Sequence, residues 1–96
     1  REFRPNENFN IAFGFENIGE VTWDPSYALV FVGGDQFTAV THLPLGRYVE
    51  PGEKCEFNLG AFGSEDIRLH TTYWALITGP GEVVEGGSAY FSYTPY

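Results

Sequence analysis

The chain has 96 residues, of which 43% are apolar and 18% aromatic, with 12 Gly, 6 Pro, one Cys and no Met. A formal net charge of −8 with only five Lys and Arg supplies no basic footprint for nucleic acid and disfavours attraction to anionic lipid. This length holds one hydrophobic core but not a core plus a deep enclosed active site.

From Phe9 the sequence reads Phe-Asn-Ile-Ala-Phe-Gly-Phe-Glu. Phe9, Ile11, Phe13 and Phe15 share one face, and Asn10, Ala12, Gly14 and Glu16 the other, the period-two pattern of a strand with one buried face. Asn17 to Glu20 supplies a turn, because Asn and Gly tolerate positive φ. Val21 to Trp23 begins a new segment, broken by Asp24-Pro25. Tyr27 to Val32 is almost wholly apolar and reads as a strand buried on both faces. Gly33-Gly34-Asp35 turns the chain, and Phe37 to Leu43 follows as a weaker strand.

Pro44 to Pro51 is a loop, closed by a tight turn at Pro51-Gly52. Cys55 to Leu59 alternates again, with Lys54, Glu56 and Asn58 outward. Gly60 to Asp66 is a connection with room for a helical turn. Ile67 to Thr78 is a long strand carrying Trp74, and Gly79-Pro80-Gly81 closes a hairpin. Val83-Val84 is a short extended piece bent by Gly86-Gly87, and Ala89 to Thr94 is the last strand. About seven short strands without a helical period predict an all-β, immunoglobulin-like antiparallel β-sandwich.

A single cysteine, Cys55, excludes an intramolecular disulfide and nearly excludes a Cys-based zinc site. Its alternation with Phe57 and Leu59 reads as a small buried hydrophobe, with a reactive thiol as the alternative. No stretch approaches the ~20 apolar residues of a membrane span. The chain opens on Arg1 without an initiator Met, which suggests a domain cut from a longer protein.

The ordered pattern resembles a known family. Phe13-Gly-Phe-Glu-Asn17-Ile-Gly19-Glu-Val-Thr-Trp23 is similar to Trp-x-x-x-Asn-x-Gly-x-x-x-Trp. Leu29 to Asp35 resembles the next strand with its Gly-Asp turn, Val49-Glu-Pro51-Gly52-Glu53 the Val-x-Pro-Gly-Glu turn, and Tyr73-Trp74-Ala-Leu76 the Tyr/x-Trp-x-Leu strand. The family is the four-tryptophan domain, the central immunoglobulin-like domain of selective-autophagy cargo receptors, which also occurs in bacterial multidomain proteins. The resemblance runs from Pro5 to Tyr93 and implies a single domain over 1–96 that binds proteins or serves as an architectural module. Two of four signature tryptophans are present, Trp23 and Trp74. Phe13 stands at the first position and Tyr90 at the fourth, so the resemblance implies aromatic core positions there too. Gly60 to Asp66 replaces the family's Pro and Gly before the third tryptophan, and the N-terminal edge strand reads as shortened. The divergence points to a bacterial member, at the cell surface or outside the cell, with the cytoplasm as the alternative.

No catalytic residue, metal ligand set or cofactor site emerges from the residues. Glu50, Glu53 and Glu56, and Glu65 with Asp66, fall in turns or on outward strand positions, where a solvated role is the ordinary one. Asp24, Asp35, Glu65 and Asp66 match no calcium loop. His70 shares strand parity with Trp74 and reads as a packing residue making one hydrogen bond. The expected partner is a protein, with weak association between copies as a further possibility. His42, Arg47 and Tyr48, which flank the Pro44 to Pro51 loop, are the candidate contact residues, beside a reading of that loop as purely structural. The alternative function is a carbohydrate-binding sandwich, with Tyr27, Tyr48, Tyr90 and Tyr93 as candidate stacking rings.

Overall fold

Strict alternation sends Ile11, Phe13 and Phe15 inward, and strand β1 runs over the span read from that pattern, Phe9–Glu16. A computed structural model, in which residues 7–95 are described, adds β2 (Ala28–Gly34), β3 (His42–Pro44), β4 (Lys54–Ala61), β5 (His70–Ile77) and β6 (Val83–Tyr93). The expected extent of 1–96, the N-terminal edge strand and the start of the resemblance at Pro5 reach outside the described residues. Strands β1 and β4 form one antiparallel sheet, and β3-β2-β5-β6 form the other. The fold is an all-β, immunoglobulin-like sandwich, with six strands among the described residues.

The two layers meet over Trp74, which is 1% exposed. Its ring lies 6.3 Å from Phe13 of β1 and 5.8 Å, edge-on, from Phe31 of β2. The indole Nε1 donates to Thr72 Oγ1 at 2.9 Å, so the ring's one polar atom is satisfied inside the core. Ile11, Leu29, Phe57, Leu59 and Leu76 close around it. Each such side chain contributes about 1.5–3 kcal/mol by leaving water.

Several elements differ from their sequence reading. Trp23 makes only an isolated bridge to Val49, because Asp24-Pro25 stops the extension. The strand expected over Phe37 to Leu43 shrinks to His42–Pro44. Thr38 Oγ1 donates to Val40 O at 2.7 Å, and that local bond turns the chain where a ladder would have continued. β5 starts at His70 rather than Ile67, since Arg68 N already donates to Asp66 O in a turn. Val83 to Tyr93 is one strand, with a register irregularity opposite Ala75 and Ile77. Gly60 to Asp66 holds no helical turn. Strand β2 is not buried on both faces: Val30 is half-buried and Val32 is 57% exposed, because the outer face of this sheet meets solvent. Gly34 ends β2 at φ 79°, where an added Cβ would lie 2.3 Å from Thr71 O. Only glycine fits there.

Tyr90 does not belong to the core. It is 69% exposed, because Ala89, Phe91 and Tyr93 take the inward positions of β6. Trp74→Ala is expected to lose about 3–5 kcal/mol, and Tyr90→Ala to change stability by less than about 0.5 kcal/mol, both read from urea melts. Equal losses at the two sites would contradict this assignment of the core.

Candidate functional site

Asn17 organises one end of the sandwich. It follows β1 directly and is 1% exposed. Its Nδ2 donates to Val21 O and to Val49 O, each at 2.9 Å. Its Oδ1 accepts from Gly19 N at 3.1 Å. The backbone adds Asn17 N to Glu53 O at 2.9 Å and Gly52 N to Asn17 O at 2.7 Å, while Trp23 and Val49 exchange two bonds at 2.9 Å. Two motifs 32 residues apart, Asn17 to Trp23 and Val49 to Glu53, are therefore halves of one clamp. Gly52 serves it with a φ of 87°, while Pro51 stays exposed in the turn. Trp23 is 4% exposed and stacks on Tyr27 at 6.2 Å. The rigid loops hold Ile18 (65%), Val21 (69%) and Tyr48 (66%) in solvent.

The three candidate contact residues do not converge. His42 is exposed at the start of β3, opposite Val30. Arg47 Nη2 is spent on Lys54 O at 2.9 Å. Tyr48 stands out beside the buried Val49. Neither a hydrogen bond nor a ring contact joins any two of them among the described residues. The loop that carries them is anchored by Leu45 N to Tyr27 O (2.7 Å) and Gly46 N to Pro25 O (3.4 Å).

At the opposite end, Arg68 spans two carboxylates. Its Nη1 lies 2.9 Å from Asp35 Oδ2 and its Nε 2.7 Å from Asp66 Oδ2. The Arg68 hydrogen bond holds the Asp35 carboxyl below the usual carboxylate range, against partial desolvation. His70 is 4% exposed and makes two polar contacts rather than one: Nδ1 to Asp35 Oδ2 at 3.2 Å and Nε2 to Asp66 O at 2.8 Å. Its ring stacks on Tyr93 at 5.2 Å, and the Tyr93 hydroxyl accepts from Ser64 N at 3.2 Å. Asp35 and Asp66 thus meet around a guanidinium. Asp24 is far from them in the chain and is bound by Ser26, whose hydroxyl and N–H both donate to its Oδ1. Among the described residues no group of three or more His, Cys, Asp or Glu is placed to hold a metal ion. Among the described residues no helix is long and apolar enough to cross a membrane.

Of the candidate stacking rings, Tyr93 is buried and Tyr27 is half-buried against Trp23. Tyr90 pairs instead with Tyr73, directly across on β5, at 6.2 Å and 39°. The pair lies on the outer face of the four-stranded sheet, beside the Thr71 and Ser92 hydroxyls, 2.8 Å apart. Tyr73 escaped the sequence reading because its neighbour Trp74 took the core role, and only the cross-strand register joins it to Tyr90. Cys55 is 6% exposed, and burial pushes its thiol up, which opposes a reactive role. Over the outer face of β1 and β4 lies a shallow hollow of about 420 Å³ beside Gly14, Glu16 and Lys54.

A family model described as "Ig-like domain from next to BRCA1 gene" matches residues 1–87. The match contains the whole Asn17 clamp and all of β1 to β5.

Asn17→Ala removes both Nδ2 hydrogen bonds, leaving the Val21 carbonyl without this donor and Val49 O with Trp23 N alone, and is expected to cost about 1–3 kcal/mol in a urea melt. A loss near zero would mean the clamp is not set by this side chain. Asp35 contributes through a depressed carboxyl, so its stabilisation is complete above its ordinary value of 3.8 and is lost as pH falls through the lower folded value. Asp35→Asn is expected to flatten that acid limb in melting temperature measured from pH 6 to pH 2, scaled for an exposed pair. An unchanged acid limb would remove Asp35 from the account.

Proposed function

The chain belongs to this immunoglobulin-like family, and from that premise we propose that it is a non-catalytic protein-interaction or spacer module of the four-tryptophan type, one domain of a bacterial multidomain protein. The observation that carries the reading is how the polar chemistry is used. His70, the one histidine held near carboxylates, has both ring nitrogens engaged by Asp35 and Asp66 O, and Arg68 is engaged by the same two residues. These contacts fasten a loop and occupy both His70 nitrogens, which is a structural use of the residues that could otherwise serve as a base. The clamped loops at the Asn17 end instead display Ile18, Val21 and Tyr48. Rigid loops that present apolar side chains are suited to protein contacts.

A second reading, a carbohydrate-binding sandwich, is favoured by one observation, the exposed Tyr73–Tyr90 pair beside two hydroxyls. Association between copies stays weak in this account, since each copy carries −8.

The immobilised domain is expected to retain a discrete protein from an extract of its source, with saturable binding when that protein is purified. Replacing Ile18 and Val21 with Ser, or His42, Arg47 and Tyr48 with Ala, locates the contact by which set weakens binding. Retention of neutral glycans, abolished by Tyr90→Ala, with no protein retained, would replace the first reading by the second.

A further inference from the structure

We propose that the outer face of the four-stranded sheet is a self-complementary docking face, on which two copies of this chain pair weakly about a two-fold axis at Ser88. The proposal rests on the interaction-module reading and names one partner, a second copy.

Charge singles this face out. Lys, Arg, Asp and Glu make up 19% of the chain. Strands β2, β3, β5 and β6 together hold one of them, Glu85, and it lines the hollow beside Glu20 and Trp23 at the Asn17 end. The narrow sheet instead carries Glu16, Lys54 and Glu56. Two copies of net charge −8 repel each other, and contact through the wide sheets puts an uncharged layer in the middle. Packed sheets lie ~10 Å apart, which places the two narrow sheets about 30 Å from each other, several times the ~8 Å screening length at physiological salt.

The relief of the face is its own complement. Along β5 and β6 three outward cross-strand pairs follow one another: Tyr73 with Tyr90, Ala75 with Ser88, and Ile77 with Val83. The face therefore reads aromatic, small, aliphatic. Tyr73 and Tyr90 stand in solvent at 48% and 69% exposure, and Val83 at 59%. Ala75 is only 4% exposed and Ser88 is short, so the middle step is low. A two-fold axis in the plane of the contact, running across the strands at that step, lays each tyrosine pair on the Ile77–Val83 pair of the other copy. Ser88 then faces Ser88, as an isologous contact requires. The 39° between the two tyrosine rings denies a sugar ring a flat platform but suits a ridge that seats on aliphatic side chains.

The size of the face sets the strength of the pair. At ~4.8 Å between strands and ~3.3 Å per residue the contact is roughly 15 by 20 Å and buries on the order of 800 Å² in all, below the ~1,200 Å² of stable complexes. The expected dissociation constant is about 0.1–1 mM, so the pair forms where copies are concentrated and separates on dilution.

The test dilutes the 96-residue chain from about 2 mM to about 20 µM and follows amide shifts and sedimentation. Concentration-dependent shifts are expected at Tyr73, Val83, Ser88 and Tyr90, with the average mass falling toward that of one copy. Added salt is expected to strengthen the pair, because it screens the repulsion between copies. Ser88 is exposed, so charging it leaves the core alone. Ser88→Glu or Ser88→Lys by itself is expected to weaken association at least about tenfold, and a 1:1 mixture of the two variants to restore it. If either variant does not fold, Tyr90→Ala decides, with an expected loss of about tenfold. Single variants that associate as tightly as the native chain, or no gain on mixing, would overturn the proposal. So would an unchanged mass and spectrum across the dilution, or shifts at these residues only when a neutral oligosaccharide is added. Shifts confined to Ile18, Val21 and Tyr48 would overturn it while leaving the interaction-module reading intact, which the capture experiment judges on its own.

Discussion

Among the described residues two strands cover four, and the rest of the sandwich answers that imbalance. A chain of this length gains its stability by packing aromatic rings between layers. The narrow layer can roof only the middle of the wide one. Trp74 sits under that roof between Phe13 and Phe31 and is fully enclosed. Toward β6 the enclosure thins, and the inward residues there keep part of their surface in water.

Polar ties close the ends that the sheets leave open. At one end Asn17 joins the segment after β1 to the segment before β4, using its side chain as a substitute for strand pairing. At the other end Arg68 and His70 fasten the loop before β5 to Asp35 after β2. In the first tie the Asn17 side chain is buried, so losing it removes two amide donations inside the fold and leaves its cavity unfilled. The second is largely exposed at Arg68 and Asp35, so it shapes the loop more than it stabilises the fold. This division explains why the most chemically suggestive residues are structural.

β1 was legible in the sequence because its alternation is unbroken from Phe9 to Glu16. The Asn17 clamp was half-legible: the resemblance marked Asn17, Gly19, Trp23, Pro51 and Gly52, but composition gives no hint that the two motifs meet. The resemblance implies a core position for Tyr90, but the parity of β6 puts Ala89, Phe91 and Tyr93 inward instead. The second partner of His70 was hidden by distance in the chain, since Asp35 lies 35 residues away.

Among the described residues β1 pairs with β4 alone, so only its odd residues bond a neighbouring strand. Amide hydrogen exchange on the unliganded domain tests this most directly. The amides of Ile11, Phe13 and Phe15, bonded to β4, should exchange about 1,000-fold or more slowly than those of Ala12, Gly14 and Glu16. Uniform protection along β1 would mean that its outer edge is already covered, and would contradict the account.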